Sequence, residues 1–176
     1  MIENKREFKI ISKQNSKSLL PNALTILGVC LGGAPLGAWL AITGSFALNP
    51  LLLCIVVITW VAGFDIIYSC QDRDHDFQVG LHSVPSRFGI STALLIAKAL
   101  HITSVMMMIV VGFKFKMSWI YGLAVCMISI LLVWEHRLVG PKDLKKVSFA
   151  FLNLNAIISM VYFIGVLIDL VVSNRI

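Results

Sequence analysis

Hydrophobic positions in this chain run together instead of recurring every second or every third and fourth residue. No charged residue occurs from Ser18 to Phe64, none in Met117–Trp134 and none in Val147–Ile168, while Phe88–Phe113 carries only Lys98. Crossing a bilayer takes roughly 20 apolar residues as a helix, and a helix satisfies every backbone polar group within its own segment. The first run is long enough for two spans, and Thr43-Gly44-Ser45 and Asn49-Pro50 supply turn residues between them. The pattern therefore predicts helices near 20–43, 47–68, 90–112, 117–135 and 149–172. The fold class expected is all-α: a polytopic transmembrane helical bundle of five spans, with a polar basic tail over 1–19 and a membrane domain over 20–176.

Composition agrees with this reading. Of 176 residues, 58% are hydrophobic and 14% charged, whereas a soluble domain carries roughly a quarter charged residues. The apolar run after the tail is too long for the hydrophobic region of a cleaved signal peptide. The formal net charge of +6 bears on membrane orientation, and no nucleic-acid partner is expected. With five spans, one side collects eleven basic residues: Lys5, Arg6, Lys9, Lys13 and Lys17, then Arg73 and Arg87, then Arg137, Lys142, Lys145 and Lys146. The other side has Lys114, Lys116 and Arg175. The positive-inside rule puts the richer side in the cytoplasm, so an integral inner-membrane protein with its 69–89 loop facing the cytoplasm is expected. Cys30, Cys54, Cys70 and Cys126 show no paired spacing and read as unpaired thiols. Gly33, Ala34, Gly37 and Ala38 form small-xxx-small pairs, which predict close helix packing.

Against this hydrocarbon background one polar block stands out. Between Phe64 and Gly89 lie four of the nine acidic residues: Asp65, Asp72, Asp74 and Asp76. If the second helix continues through the block, Asp65, Tyr68, Asp72 and Asp76 fall at about 0°, 300°, 340° and 20° around its axis, and Asp74 points elsewhere. Asp72 and Asp76 are then neighbours at i,i+4. Adjacent carboxylates repel unless a cation lies between them. Mg²⁺ is commonly held by one or two carboxylates together with substrate phosphate oxygens. The pattern suggests Mg²⁺-diphosphate binding at a membrane surface, with Arg73, His82, Arg87 and Arg137 or Lys142 as phosphate partners. The same block also reads as a solvated charged loop. Ionisable residues inside spans, here His101 and Asp169, are functional candidates too, although His101 also reads as a hydrogen-bonded core residue and Asp169 as one reaching the interface. Asn153 and Asn155 open the last helix as capping or interhelical residues, with Asn153 able to face a pocket.

The block D65-x-x-Y68-x-x-x-D72-x-x-x-D76 resembles the second aspartate-rich motif of the UbiA-type intramembrane prenyltransferases. The continuation G80-L81-H82-S83-V84-P85-S86-R87-F88-G89 is similar as well, as are A34-P35-L36-G37-A38-W39 upstream and E135-H136-R137-L138-V139 through N153-L154-N155 downstream. The Gly-Leu-His-Ser-x-Pro form looks most like the members that prenylate aromatic precursors of menaquinone or ubiquinone, such as 4-hydroxybenzoate.

The resemblance implies a nine-helix fold around a cavity, of which this chain matches the last five helices. It implies Mg²⁺-dependent transfer of a polyprenyl group from its diphosphate to an aromatic quinone precursor. On it, Asp72 and Asp76 are metal ligands and Asp65 and Tyr68 line the reacting end of the pocket. Position 82, often Lys in the family, is His here, a residue that can be neutral near pH 7. The family's first motif, of the Asn-Asp-x-x-Asp-x-x-x-Asp kind, does not occur in this sequence, so a complementary N-terminal half is an expected partner besides the lipid bilayer and the two substrates. Two other readings compete. One is a noncatalytic remnant or structural membrane subunit. The other is a CDP-alcohol phosphotransferase, whose motif, opening on Asp-Gly with a following Ala-Arg, is not found.

Overall fold

The computed structural model describes residues 30–141, 143–144 and 147–174, and among them every regular element is a helix. The polar tail over 1–19, the first ten residues of the 20–43 helix, Lys142, Lys145, Lys146 and Arg175 lie outside the described residues. Helix α1 covers Cys30–Thr43. Long helices α2 (Asn49–Ser69), α5 (Ile90–Lys114) and α6 (Trp119–Leu138) follow, with two short helices between the first two, α3 (Arg73–Val79) and α4 (Val84–Phe88). The last span begins as α7 (Val147–Phe149), passes through a π-helical turn at Ala150–Leu154 and continues as α8 (Asn155–Val172). The segments Asn49–Ser69, Ile90–Lys114, Trp119–Leu138 and Val147–Val172 are long and apolar enough to cross a membrane. Most of their residues face outward, as expected where the solvent is lipid. The chain is an integral membrane protein.

Sequence positions explain the ends. Gly44 closes the turn after α1 at φ +64, a conformation that costs a residue with a Cβ more than glycine, and Pro50 opens α2 where its missing N–H is harmless. Gly80 ends α3 at φ +72. The Leu81 N–H donates back to the Asp76 carbonyl at 2.8 Å, the bond of a Schellman cap. Ser83 caps α4 by accepting from the Ser86 N–H.

Two expectations are corrected. The second helix does not run through the acidic block. The N–H groups of Cys70, Gln71 and Asp72 donate to the carbonyls of Ile67, Tyr68 and Ser69, the three-residue spacing that tightens and ends a helix. Ser69, Cys70 and Asp72 are weak helix formers, and α2 stops at Ser69. The loop expected over 69–89 is largely the short helices α3 and α4. Nor do the small residues of α1 pack as expected. Among the described residues Gly33 and Gly37 have no neighbour within 4 Å of an added Cβ, while a Cβ on Gly32 would run into Ile58 of α2.

The bundle is held by two apolar clusters and three buried polar ties. Val56, Met108, Ile128 and Ile158 centre the larger cluster between α2, α5, α6 and α8. Ile67, Ala97, Val147 and Leu154 form the second, at the end where α2 meets the acidic block. The Ser104 hydroxyl donates to the Val56 carbonyl at 3.0 Å, joining α5 to α2. The Tyr121 hydroxyl donates to the Met108 carbonyl at 2.8 Å, joining α6 to α5. The fully buried Asp169 of α8 joins the start of α6. Its carboxylate accepts from the Ser118 N–H at 2.9 Å, the Ser118 hydroxyl at 2.6 Å and the Tyr121 N–H at 3.0 Å. Asp169 therefore works as a helix N-cap supplied from another helix, favoured also by the positive end of α6.

Close approach between α8 and α6 depends on Gly165, where a Cβ would collide with the Ala124 side chain. Gly165→Val is expected to destabilise the chain by about 1–3 kcal/mol, read as a lowered midpoint in denaturant titration of the micelle-solubilised protein. Gly122→Val, at a glycine where an added Cβ meets nothing within 4 Å among the described residues, is the control expected to leave the midpoint unchanged.

Candidate active site

The acidic block lies where α2 leaves the apolar part of the bundle. Asp65 and Tyr68 belong to the last two turns of α2, Asp65 half-buried and Tyr68 exposed. Asp72 is the residue immediately before α3, and Asp76 follows one turn later, its N–H donating to the Asp72 carbonyl at 2.8 Å. An Asp at this position ordinarily accepts a hydrogen bond from an amide of the first turn. Here the Asp72 side chain makes no such bond and is exposed. Asp76 is 13% exposed, with His75 4.0 Å from its carboxylate. Asp74, set aside on helical geometry, pairs with Arg73 at 3.0 Å and is 85% exposed.

The break between α2 and α3 changes the geometry that the sequence suggested. Asp72 and Asp76 remain one helical turn apart, while their positions relative to Asp65 and Tyr68 are set by the 70–72 turn instead of by one continuous helix. The block is tied down from outside by Gln71, whose side-chain amide donates to the Ser148 hydroxyl at the start of α7 at 3.1 Å. Directly beneath, Cys70 is buried with its thiol donating to the Ile66 carbonyl at 3.3 Å. Burial pushes its pKa up to about 11, so Cys70 carries a neutral thiol at physiological pH. In a variant with the other three cysteines changed to Ser, maleimide labelling of Cys70 should rise about tenfold per pH unit up to about 11. A plateau near pH 8.5 would mean that the thiol is exposed.

The basic residues expected around the diphosphate are dispersed. Arg73 is engaged with Asp74. Arg87, in the last turn of α4, lies 5.3 Å over the Phe88 ring and is exposed, as is His82. Arg137 lies at the end of α6, in a groove shared with Lys98 and His136. Asn153 is exposed within the π-helical turn and donates to the Phe149 carbonyl at 3.4 Å. Its neighbour Asn155 is buried. Such π turns often mark functional positions in a helix.

Among the described residues no group of three or more His, Cys, Asp or Glu side chains could by itself hold a metal ion. Asp72 and Asp76 are a pair of hard oxygen donors. They fit Mg²⁺ only as part of a site completed by phosphate oxygens, waters or other protein ligands.

A second polar group lies inside the bundle. The His101 Nδ1 is 3.0 Å from the His136 Nε2 and 3.8 Å from the Glu135 Oε2. Glu135 is fully buried, and among the described residues neither of its oxygens has a hydrogen-bond partner. Gly63 makes room for the His101 ring, against which any Cβ would clash. The sequence singled out His101 but not Glu135 or His136 as its neighbours. The available signal was a Glu-His pair ending a charge-free span, because an ionisable group in hydrocarbon needs a polar partner on another helix.

Comparison with known proteins matches this architecture. A model of the UbiA prenyltransferase family matches residues 17–157. The chain is 30% identical to a 4-hydroxybenzoate octaprenyltransferase of Sodalis glossinidius over 145 residues, covering 82% of this chain and 49% of that protein. It is also 30% identical to the protein of that name from Photobacterium profundum, over 84% of this chain and 51% of the relative. The apo structure of a UbiA homolog from Aeropyrum pernix K1 superposes with a TM-score of 0.70 at 28% identity, covering 82% of this chain and 54% of that one. The chain thus spans about half the length of the relatives it matches. With the motif, the helical order and the matched fold all in agreement, the chain belongs to the UbiA prenyltransferase family.

Proposed function

We propose that this chain supplies the second aspartate-rich half of a site that moves a polyprenyl group from its diphosphate to an aromatic acid of the 4-hydroxybenzoate kind, in quinone synthesis at the cytoplasmic face of the inner membrane. The observation that carries the reading is the exposed Asp72 carboxylate, which forgoes its capping bond one turn away from Asp76. Mg²⁺ held there would neutralise the diphosphate and make it a better leaving group. Asp72 and Asp76 hold and orient that end of the donor, and Arg87 and His82 are free to meet phosphate oxygens. Asp65 and Tyr68, nearer the hydrocarbon, face the allylic carbon as its C–O bond breaks. A tyrosine ring and a carboxylate both favour developing positive charge. The new C–C bond forms on the aromatic ring, and Asp65 takes the ring proton as base. The apolar helices exclude water from the cation.

Because two carboxylates make only part of a metal site, the remaining ligands are assigned to a complementary N-terminal segment. The test is membrane-embedded chain assayed with a polyprenyl diphosphate and 4-hydroxybenzoate, alone and co-expressed with the N-terminal half of a relative. Product only in the combined sample, and none after EDTA, is expected. Full turnover by the chain alone would overturn the shared site, and no turnover in either sample would favour a noncatalytic membrane subunit.

A further inference from the structure

A groove runs between α5 and α6, and it is chemically different at its two ends. Two cavities, of about 320 and 380 Å³, open along it and share Ser129. On α5 its wall is Ile102, Val105, Ile109 and Phe113, which recur at helical spacing and carry no charge. From Lys98 to Phe113 the α5 rise amounts to about 22 Å, longer than the roughly 15 Å of hydrocarbon in one leaflet. At one end only, the lining becomes cationic: Lys98 and Arg137, with His136 between α5 and the end of α6. Among the described residues neither Lys98 nor Arg137 takes part in an ion pair, and no carboxylate lines either cavity. The floor of the cationic end is fixed, since His136 is held by the buried His101 at 3.0 Å.

We propose that this groove binds an anionic membrane phospholipid, its phosphate at Lys98, His136 and Arg137 and one acyl chain along Ile102, Val105 and Ile109. Charge complementarity selects the occupant. A cationic mouth on an apolar channel suits a lipid with a negative headgroup, and basic pockets between spanning helices are a recurrent headgroup site. Lys98 lies about 12 Å into α5 from Ile90, deep enough that its stem packs along the groove while the ammonium reaches the headgroup level. A zwitterionic lipid would bring its own choline cation beside Lys98 and Arg137 at the edge of hydrocarbon, where uncompensated positive charge is costly. This inference is independent of the catalytic proposal, because the groove is built from α5 and α6 and contains neither Asp72 nor Asp76.

The test is native mass spectrometry of the whole chain, released from vesicles of equal phosphatidylglycerol and phosphatidylcholine. Retained phosphatidylglycerol should exceed phosphatidylcholine by at least tenfold. Lys98→Ala combined with Arg137→Ala should bring the ratio close to one. Val105→Trp, which fills the channel while keeping both cations, should reduce retention of both lipids severalfold. Thermal melting of each variant in detergent checks that it remains folded, and a variant that does not is replaced by Lys98→Gln with Arg137→Gln or by Val105→Phe. A wild-type ratio near one, or a ratio unchanged in the double variant, would overturn the proposal in favour of ordinary annular lipid. Displacement of the lipid by millimolar inorganic phosphate would overturn it in favour of a phosphate site, and a dimer that releases its lipid only on dissociation would identify the groove as an interface between copies.

Discussion

Replacing Asp72 with Asn is expected to lower prenyl transfer at least about 100-fold in the complemented assay, without changing the amount of folded protein in the membrane. Loss of one group that stabilises charge developing at the reacting centre commonly costs a factor of about 10²–10³. The substitution also removes one of the two carboxylates, among the described residues, that the proposed site draws on. Fold is expected to be spared for a specific reason. Asp72 is exposed and its side chain does not cap α3, so the substitution orphans no amide. Asp74→Asn serves as the control in the same segment. Asp74 is 85% exposed and bonded to Arg73, and exposed pairs of this sort contribute about 0–1 kcal/mol, so activity should remain within about twofold. Equal losses from the two substitutions would refute the assignment of Asp72 as a ligand and point instead to a general requirement for negative charge.

Asp169→Ala is expected to have the largest effect on stability, about 3 kcal/mol or more. The carboxylate is fully buried and accepts from two backbone N–H groups and one hydroxyl at the first turn of α6. Removing it leaves those donors without an acceptor, and inside a membrane protein no water replaces it cheaply. Denaturant titration in micelles should show the lowered midpoint, together with faster hydrogen exchange at the start of α6. Asp169→Asn keeps one acceptor oxygen and should recover part of the loss. An unchanged midpoint for Asp169→Ala would mean that α6 is capped well enough by Ser118, whose hydroxyl also accepts from the Ile120 N–H at 3.2 Å.

These two aspartates show how unevenly a site can be read from sequence. The ligand role proposed for Asp72 rests on a neighbour four residues away, and that local spacing survives even though the helix that was expected to carry it does not. Asp169 appeared only as an ionisable residue in an apolar run. Its role depends on Ser118 and Tyr121, some fifty positions earlier, and no local pattern specifies that meeting. His101, Glu135 and His136 behave likewise. His101 lies on α5 and the adjacent Glu135 and His136 on α6, and the contact between them is a property of how α5 crosses α6.

By itself the sequence determined the approximate limits of the four long helices, because bilayer thickness translates directly into the length of an apolar run; the fifth expected span, 20–43, is described only over Cys30–Thr43. It also determined the family, because motif residues and their order persist in the linear chain. Tertiary structure decided where α2 ends, that Gly32 and not Gly33 or Gly37 approaches the neighbouring helix, which basic residues stand near the carboxylates and which line the α5–α6 groove. Those outcomes follow from helix crossing and side-chain contact over long sequence separations, whereas lipid accepts almost any apolar face and so leaves little trace of helix packing in the hydrophobic pattern.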